Sequence, residues 1–95
     1  MPDAFVIKKN EYHDSVFLMR VAKRISDRPG VLQAAALMGT EKNKTLLADI
    51  GISGAEISAA TPNDLIVAVK ADTRETLEEA LVYVDESLKS SPPPS

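Results

Sequence analysis

The segment from Gly39 to Lys44 is where this chain could best bind an anion. It follows an apolar run, Val31 to Leu37, and it opens an amphipathic segment. A strand that ends at a Gly-Thr pair and turns at once into a helix leaves free backbone N–H groups, which bind small anions in many α/β proteins. The Thr40 hydroxyl and the Lys44 ammonium group would add to these amides. The same residues also fit an ordinary helix start with Thr40 as N-cap, and they lack the glycine density of a phosphate loop.

A second polar turn, Thr61 to Asp64, precedes the most β-prone run of the chain, and the lysine pair Lys8-Lys9 ends the first such run. If residues 56–60 and 65–71 form a hairpin, this turn lies at the same sheet edge as the Gly-Thr segment. The alternative interpretations are a self-satisfied type I turn and a charged edge that discourages strand pairing. The candidate ligand-binding residues are Lys8, Gly39, Thr40, Asn43, Lys44, Thr61, Asn63 and Asp64.

No set of residues predicts catalysis by this chain alone. The single histidine, His13, is next to Asp14, but no nucleophile accompanies the pair, so we interpret it as a loop histidine. The acidic residues between 72 and 86 are interpreted as the solvated face of a helix. There is no cysteine, which excludes disulfides and thiolate chemistry. We therefore predict no catalytic residue, no metal site and no cofactor bound by this chain.

Composition narrows the class of protein. The chain has 95 residues, which indicates one domain, and its hydrophobic (44%) and charged (26%) shares are those of a globular protein. The net charge of −3 does not favour nucleic acid as a partner. The apolar runs are too short to span a bilayer, and no signal peptide is recognisable, so we expect a cytoplasmic protein without membrane contact.

The patterns of apolar residues predict the element order β-α-β-α-(β)-β-α. The fold class expected is a small two-layer α/β domain, with a three- or four-stranded mixed sheet and helices mainly on one face. It occupies residues 1–89, and residues 90–95 form a Pro/Ser-rich linker or tail. The predicted strands are Ala4–Ile7, Val31–Met38, Glu56–Ala60 and Leu65–Ala71, and the predicted helices are Asp14–Arg28, Glu41–Asp49 and Thr73–Ser87.

One short motif allows a different fold assignment. The segment from Asp27 to Leu32 resembles the signature of ACT domains, which are small ligand-sensing regulatory modules. That interpretation requires a strand at Val16–Arg24 and a helix at Leu32–Met38. The helical spacing of apolar residues after Asp14, and the capping residues before them, favour a helix there instead.

Several blocks taken together resemble the N-terminal segment of FdrA-family proteins, which are relatives of the succinyl-CoA synthetase superfamily described as acyl-CoA synthetases. The resemblance runs from about Ala4 to the last predicted helix, which is nearly the whole folded part of the chain. Its blocks are Phe5–Lys9, Tyr12–Leu18 with Asp14-Ser15-Val16, Leu37–Thr40 with Asn43-Lys44, and Ala59–Asp64.

The resemblance implies a function that the residues alone do not. FdrA-like proteins are much longer, with CoA-binding and ligase-type domains after this segment, and some are linked to carbamoyl transfer in purine breakdown. CoA and ATP are implied for the parent family, not for this chain. The expectation is a non-catalytic accessory or assembly module whose partners are other domains or subunits of such an enzyme, or its own copy in a homo-oligomer. The alternatives are a small-anion or nucleotide-binding domain and an ACT-like sensor.

Overall fold

The computed structural model describes residues 2–89, so the predicted tail at 90–95 lies outside the described residues. Three strands and four helices follow one another along these residues, with two helices in succession before the last strand. They are β1 (Asp3–Lys8), α1 (Ser15–Ser26), β2 (Val31–Met38), α2 (Glu41–Asp49), α3 (Ala55–Ala59), β3 (Leu65–Ala71) and α4 (Arg74–Lys89). The small α/β class and a sheet of three strands are confirmed.

The sheet order is β1-β3-β2, and both neighbouring pairs are antiparallel. The prediction of a mixed sheet is therefore wrong. The helical connection α1 does make β1 and β2 parallel to each other, as expected, but β3 lies between them. The register pairs Leu65, the first residue of β3, with Lys8 on one side and Met38 on the other. The ends of β1 and β2 thus meet at the start of β3.

The two long helices cover one face of the sheet. Alternate residues of β3, such as Val67 and Val69, point to this face and are fully buried. Leu18, Val21 and Ile25 of α1 fall at helical spacing and contribute the matching apolar stripe. The helix begins at Asp14, whose Oδ1 accepts a hydrogen bond from the Val16 N–H at 3.2 Å. The expectation of the long helices on one face is confirmed.

The opposite face is also covered, so the expectation of only two layers does not describe this sheet. Leu47 of α2 and Ile57 of α3 pack against Ile66 and Ala68, the other alternate residues of β3. The strand predicted at Glu56–Ala60 is wrong, because residues Ala55–Ala59 form α3. Its predicted hairpin partner, β3, already has β1 and β2 on its two edges, so no edge is left for a third neighbour.

The ACT-like interpretation does not hold. Val16–Arg24 lies inside α1, and Leu32–Met38 lies inside β2, the reverse of what that fold requires. The turn between them contains Gly30 at φ +84, which suits glycine. Between residues 2 and 89, no helix is long and apolar enough to cross a membrane.

Candidate functional site

The carboxylate of Asp64 organises the sheet edge where the three strand ends meet. It is only 3% exposed, and its two oxygens accept backbone hydrogen bonds from Asn10 (2.9 Å) and Thr61 (3.0 Å). The Lys9 ammonium group lies 3.6 Å from Oδ2. We call Lys9, Asn10, Gly39, Thr61 and Asp64 the strand-end cluster. The predicted convergence of the Thr61–Asp64 turn with the Gly39 segment is present in the structure.

These hydrogen bonds hold Asp64 in its ionised form. The N–H groups of Asn10 and then of Thr61 lower the pKa of the Asp64 carboxyl below its usual value, Lys9 adds to the effect, and burial opposes it. The cluster therefore carries a buried negative charge, and this charge is stabilised by donors from two loops. An anion placed here would meet that charge at close range.

Gly39 connects the cluster to the end of β2. Its N–H donates to the Asp64 carbonyl oxygen at 2.9 Å, and a Cβ at this position would lie 2.5 Å from the Thr61 carbonyl oxygen. Only glycine allows the two backbones to approach so closely. The glycine that the sequence indicated as an anion-binding residue therefore has a clear role in packing two loops together.

The remaining candidates at the start of α2 are engaged within the protein. Thr40 Oγ1 accepts from the Asn43 N–H at 3.2 Å, which confirms Thr40 as the N-cap of α2. The Asn43 side-chain amide donates to the Met38 carbonyl oxygen, and Lys44 Nζ donates to the Ser58 carbonyl oxygen, both at 2.9 Å. These contacts fix the β2–α2 turn against α3.

The sequence analysis chose Lys8 from the pair Lys8-Lys9, but the lysine that joins the strand-end cluster is Lys9. Lys8 Nζ lies 2.7 Å from Asp85 Oδ1 on α4, while Lys9 approaches Asp64. Thr61 and Asn63 are exposed at the turn. Asn10, which the sequence analysis missed, donates to Asp64 from a backbone at φ 55. The available signal was an Asn two residues after the end of a strand, since Asn tolerates this left-handed conformation.

His13 lies in a separate shallow cavity of about 240 Å³ lined by Lys8, Glu11, Asp85 and Leu88. Its Nε2 is 2.9 Å from Glu11 Oε2, and its ring packs at a tilt of 38° against the Phe17 ring, with centroids 4.8 Å apart. Asp14 instead caps α1, and the partner of His13 is Glu11. The predicted interpretation as a loop histidine fits this environment.

A second concavity, of about 310 Å³, follows the free edge of β2, and we call it the β2 groove. It is bounded by the start of α1, by residues 36–38 of β2 and by Asn43. Tyr12 and Met19 on its rim are each 70% exposed. Strand β2 has the sequence VLQAAALM, without a charged residue or proline. Such an edge lacks the features that usually keep an edge strand from pairing.

Comparisons with known proteins agree with part of the resemblance. Residues 1–95 match the family described as "AllF, heavy metal-associated domain". The chain belongs to this family. It is 37% identical over 81 residues to the uncharacterized protein YahF of Escherichia coli strain K12. That alignment covers 85% of this chain but 16% of YahF, so the chain spans a small fraction of its curated relative. No solved structure matches it significantly.

The residues lack the thiolate ligands that a soft heavy metal prefers. Soft metals such as Cu(I) select thiolate and thioether ligands, and this sequence has no cysteine, so its three methionines are the soft ligands that it offers. The lone imidazole, His13, contacts Glu11, and residues 2–89 contain no group of three or more His, Cys, Asp or Glu residues that could hold a metal. We therefore assign no metal chemistry to this site.

Proposed function

We propose that this chain is a non-catalytic accessory domain that helps to assemble an AllF-type protein, in an FdrA-like acyl-CoA synthetase or carbamoyltransferase system. The observation that carries the proposal is its membership of the AllF domain family, together with the small share of YahF that it covers. A domain that is one part of a much longer protein can contribute by contact with the other parts. The FdrA resemblance adds two points to the proposal: the parent enzyme uses CoA and ATP, and it acts in purine catabolism.

The polar residues support a structural role for this domain. Thr40, Asn43 and Lys44 are satisfied by partners inside the fold, and Asp64 binds two loop amides. Within residues 2–89, no nucleophile is paired with a general base. Chemistry in such an assembly would then come from other domains.

The β2 groove is the surface that we propose for docking another domain of the same protein. The two sheet faces are covered by helices, so a sheet edge is the part of the sheet that is left open to a partner. Strand β1 carries Asp3 and Lys8, whereas β2 is uncharged and lies beside the exposed side chains of Tyr12 and Met19. An uncharged edge beside apolar side chains suits a partner that adds a strand or an apolar segment.

The experiment is binding in trans. An AllF-type protein from which this domain has been deleted is mixed with the separate domain, and complex formation is measured by light scattering and calorimetry. We expect a defined complex. Absence of binding would contradict the assembly role, and turnover of an acyl-CoA or carbamoyl substrate by the 95-residue chain alone would contradict the non-catalytic role.

Binding of a small anion or nucleotide at the strand-end cluster is the second candidate. The convergence of the loops, with Lys9 beside them, favours it, but the loop amides already donate to Asp64 and its ionised carboxylate opposes an anion. Inorganic phosphate and ATP are the probes. A rise in Tm that is lost in the Lys9→Ala variant would support this candidate, and an unchanged Tm at millimolar ligand would contradict it.

A further inference from the structure

The two helices on the outer surface of the domain have opposite charges. Helix α1 contains Arg20, Lys23 and Arg24 and no acidic residue. Helix α4 contains five acidic residues and two basic ones. Both helices pack on the same sheet face and contact each other. Their outward sides form one surface with a basic half and an acidic half, which we call the helix face.

Within residues 2–89, no ion pair is found for the basic side chains of α1. Arg20, Lys23 and Arg24 are exposed, and no ion pair joins them to a carboxylate within the described part of the chain. Two cations from outside these helices do reach α4. Arg28, beyond the end of α1, stacks on the Tyr83 ring at 4.4 Å, and Lys8 of β1 pairs with Asp85 at 2.7 Å. The attraction between the two halves is therefore largely unused inside one molecule.

The helices are antiparallel, and contacts at both ends show this. Gly30, after the end of α1, lies against Thr76 in the first turn of α4. At the other end, His13, before α1, shares a cavity with Asp85 and Leu88 near the end of α4. A two-fold axis parallel to the helices and between two facing copies places α1 of one copy on α4 of the other. It also places the end of α1 on the beginning of the partner α4.

The exposed side chains match in that arrangement. The exposed residues of α1 include Val16, Arg20 and Lys23, at spacings of four and three. The exposed residues of α4, read backwards, include Val82, Glu79 and Glu75, at spacings of three and four. Val16 and Val82 are 54% and 61% exposed. The two-fold axis thus places valine near valine and each cation near a carboxylate, twice per dimer.

We propose that the helix face binds a second copy of this chain in a two-fold symmetric dimer, with α1 of each copy on α4 of the other. This inference rests on the proposed assembly role and names one partner in it. The α1 helix is about 18 Å long and helices pack about 10 Å apart, so the contact covers roughly 400 Å² per copy, about half of a standard interface. The dimer is accordingly weak and sensitive to salt, with a dissociation constant between about 10 μM and 1 mM.

Charge reversal gives a decisive test because the two halves can be reversed separately. One variant carries Arg20→Glu and Lys23→Glu, and the other carries Glu75→Lys and Glu79→Lys. In a dimer of either variant alone, the facing helices carry charges of the same sign. Self-association measured by sedimentation equilibrium should therefore weaken at least about tenfold. In an equimolar mixture both contacts of the heterodimer join opposite charges. The mixture should therefore associate at least as tightly as the wild type, and added NaCl should weaken it.

Controls separate this surface from general charge effects. Asp49→Lys with Glu56→Lys reverses two exposed charges on the opposite side of the sheet and should leave self-association unchanged. Circular dichroism confirms that each variant folds. A wild-type chain that stays monomeric up to about 1 mM would overturn the dimer, as would variants that self-associate like the wild type, or a mixture that associates no more than its components. The same preparation is also tested for binding to the domain-deleted AllF-type protein. If that binding is normal while self-association is absent, the dimer is overturned but the assembly role is still supported.

Discussion

The Cα of Gly39 lies so close to the Thr61 carbonyl group that a Cβ at residue 39 would be 2.5 Å from the carbonyl oxygen. This contact joins the loop after β2 to the loop before β3, and the Gly39 N–H donates to the Asp64 carbonyl oxygen in the same place. Two segments that are 22 positions apart in the sequence are thereby packed together at the end of the sheet.

Gly39→Ala should lower the free energy of unfolding by about 1–3 kcal/mol, because a backbone oxygen must move to make room for the methyl group. Urea unfolding measures the change. Gly54→Ala is the matched control, since its Cβ would meet the Phe5 ring at an ordinary 3.6 Å. Equal effects of the two substitutions would show that the contact at residue 39 is unimportant.

Asp64 should make the protein sensitive to acid. Its pKa is lowered by hydrogen bonds that exist only in the folded state, first from Asn10 and then from Thr61. A carboxyl group with a lowered folded pKa stabilises the fold above its unfolded pKa, and this stabilisation is lost as the pH falls through the folded pKa. The free energy of unfolding of the wild type should therefore fall below about pH 4.

Asp64→Asn provides the comparison, measured by urea unfolding from neutral to acidic pH. The variant should be less stable than the wild type at neutral pH, and the difference should narrow as the solution becomes acidic. Asp49→Asn, at an exposed site on α2, controls for the loss of one charge. A constant difference between Asp64→Asn and the wild type at all pH values would refute the assignment.

Leu47→Ala should cost about 2–5 kcal/mol, because Leu47 is 1% exposed in the second core on the α2 side of the sheet. Its neighbour Leu46 is 48% exposed, so Leu46→Ala should change stability by less than about 0.5 kcal/mol. Thermal unfolding of both variants measures the difference. Similar small effects would mean that α2 adds little to the core.

Met19→Lys should weaken docking of another domain at the β2 groove without lowering the stability of the isolated domain. Met19 is 70% exposed on the rim of the groove, so a lysine there is solvated when free and desolvated when bound. Calorimetric titration against the domain-deleted AllF-type protein measures the affinity. Leu46→Lys, an equally drastic change away from the groove, should leave the affinity unchanged. If Met19→Lys binds with the same affinity as the wild type, the docking surface is not at the β2 groove.

Local signals in the sequence determined most of the secondary structure. The spacing of Leu18 and Ile25 indicated α1, and its cap at Asp14 was visible in the residue type. The bounds predicted for α2, Glu41–Asp49, are those of the structure, and Thr40 caps it as expected. Helical periodicity and capping depend on residues within a few positions of each other, so a sequence displays them directly.

Only the tertiary structure decided which strands are neighbours and which loops meet. The sequence could not show that β3 lies between β1 and β2, and this placement makes the sheet antiparallel and leaves residues 55–59 to form α3. Nor could it show that Lys9, rather than Lys8, approaches Asp64. These outcomes depend on packing between segments far apart in the chain, where burial of each strand's two faces outweighs local preference.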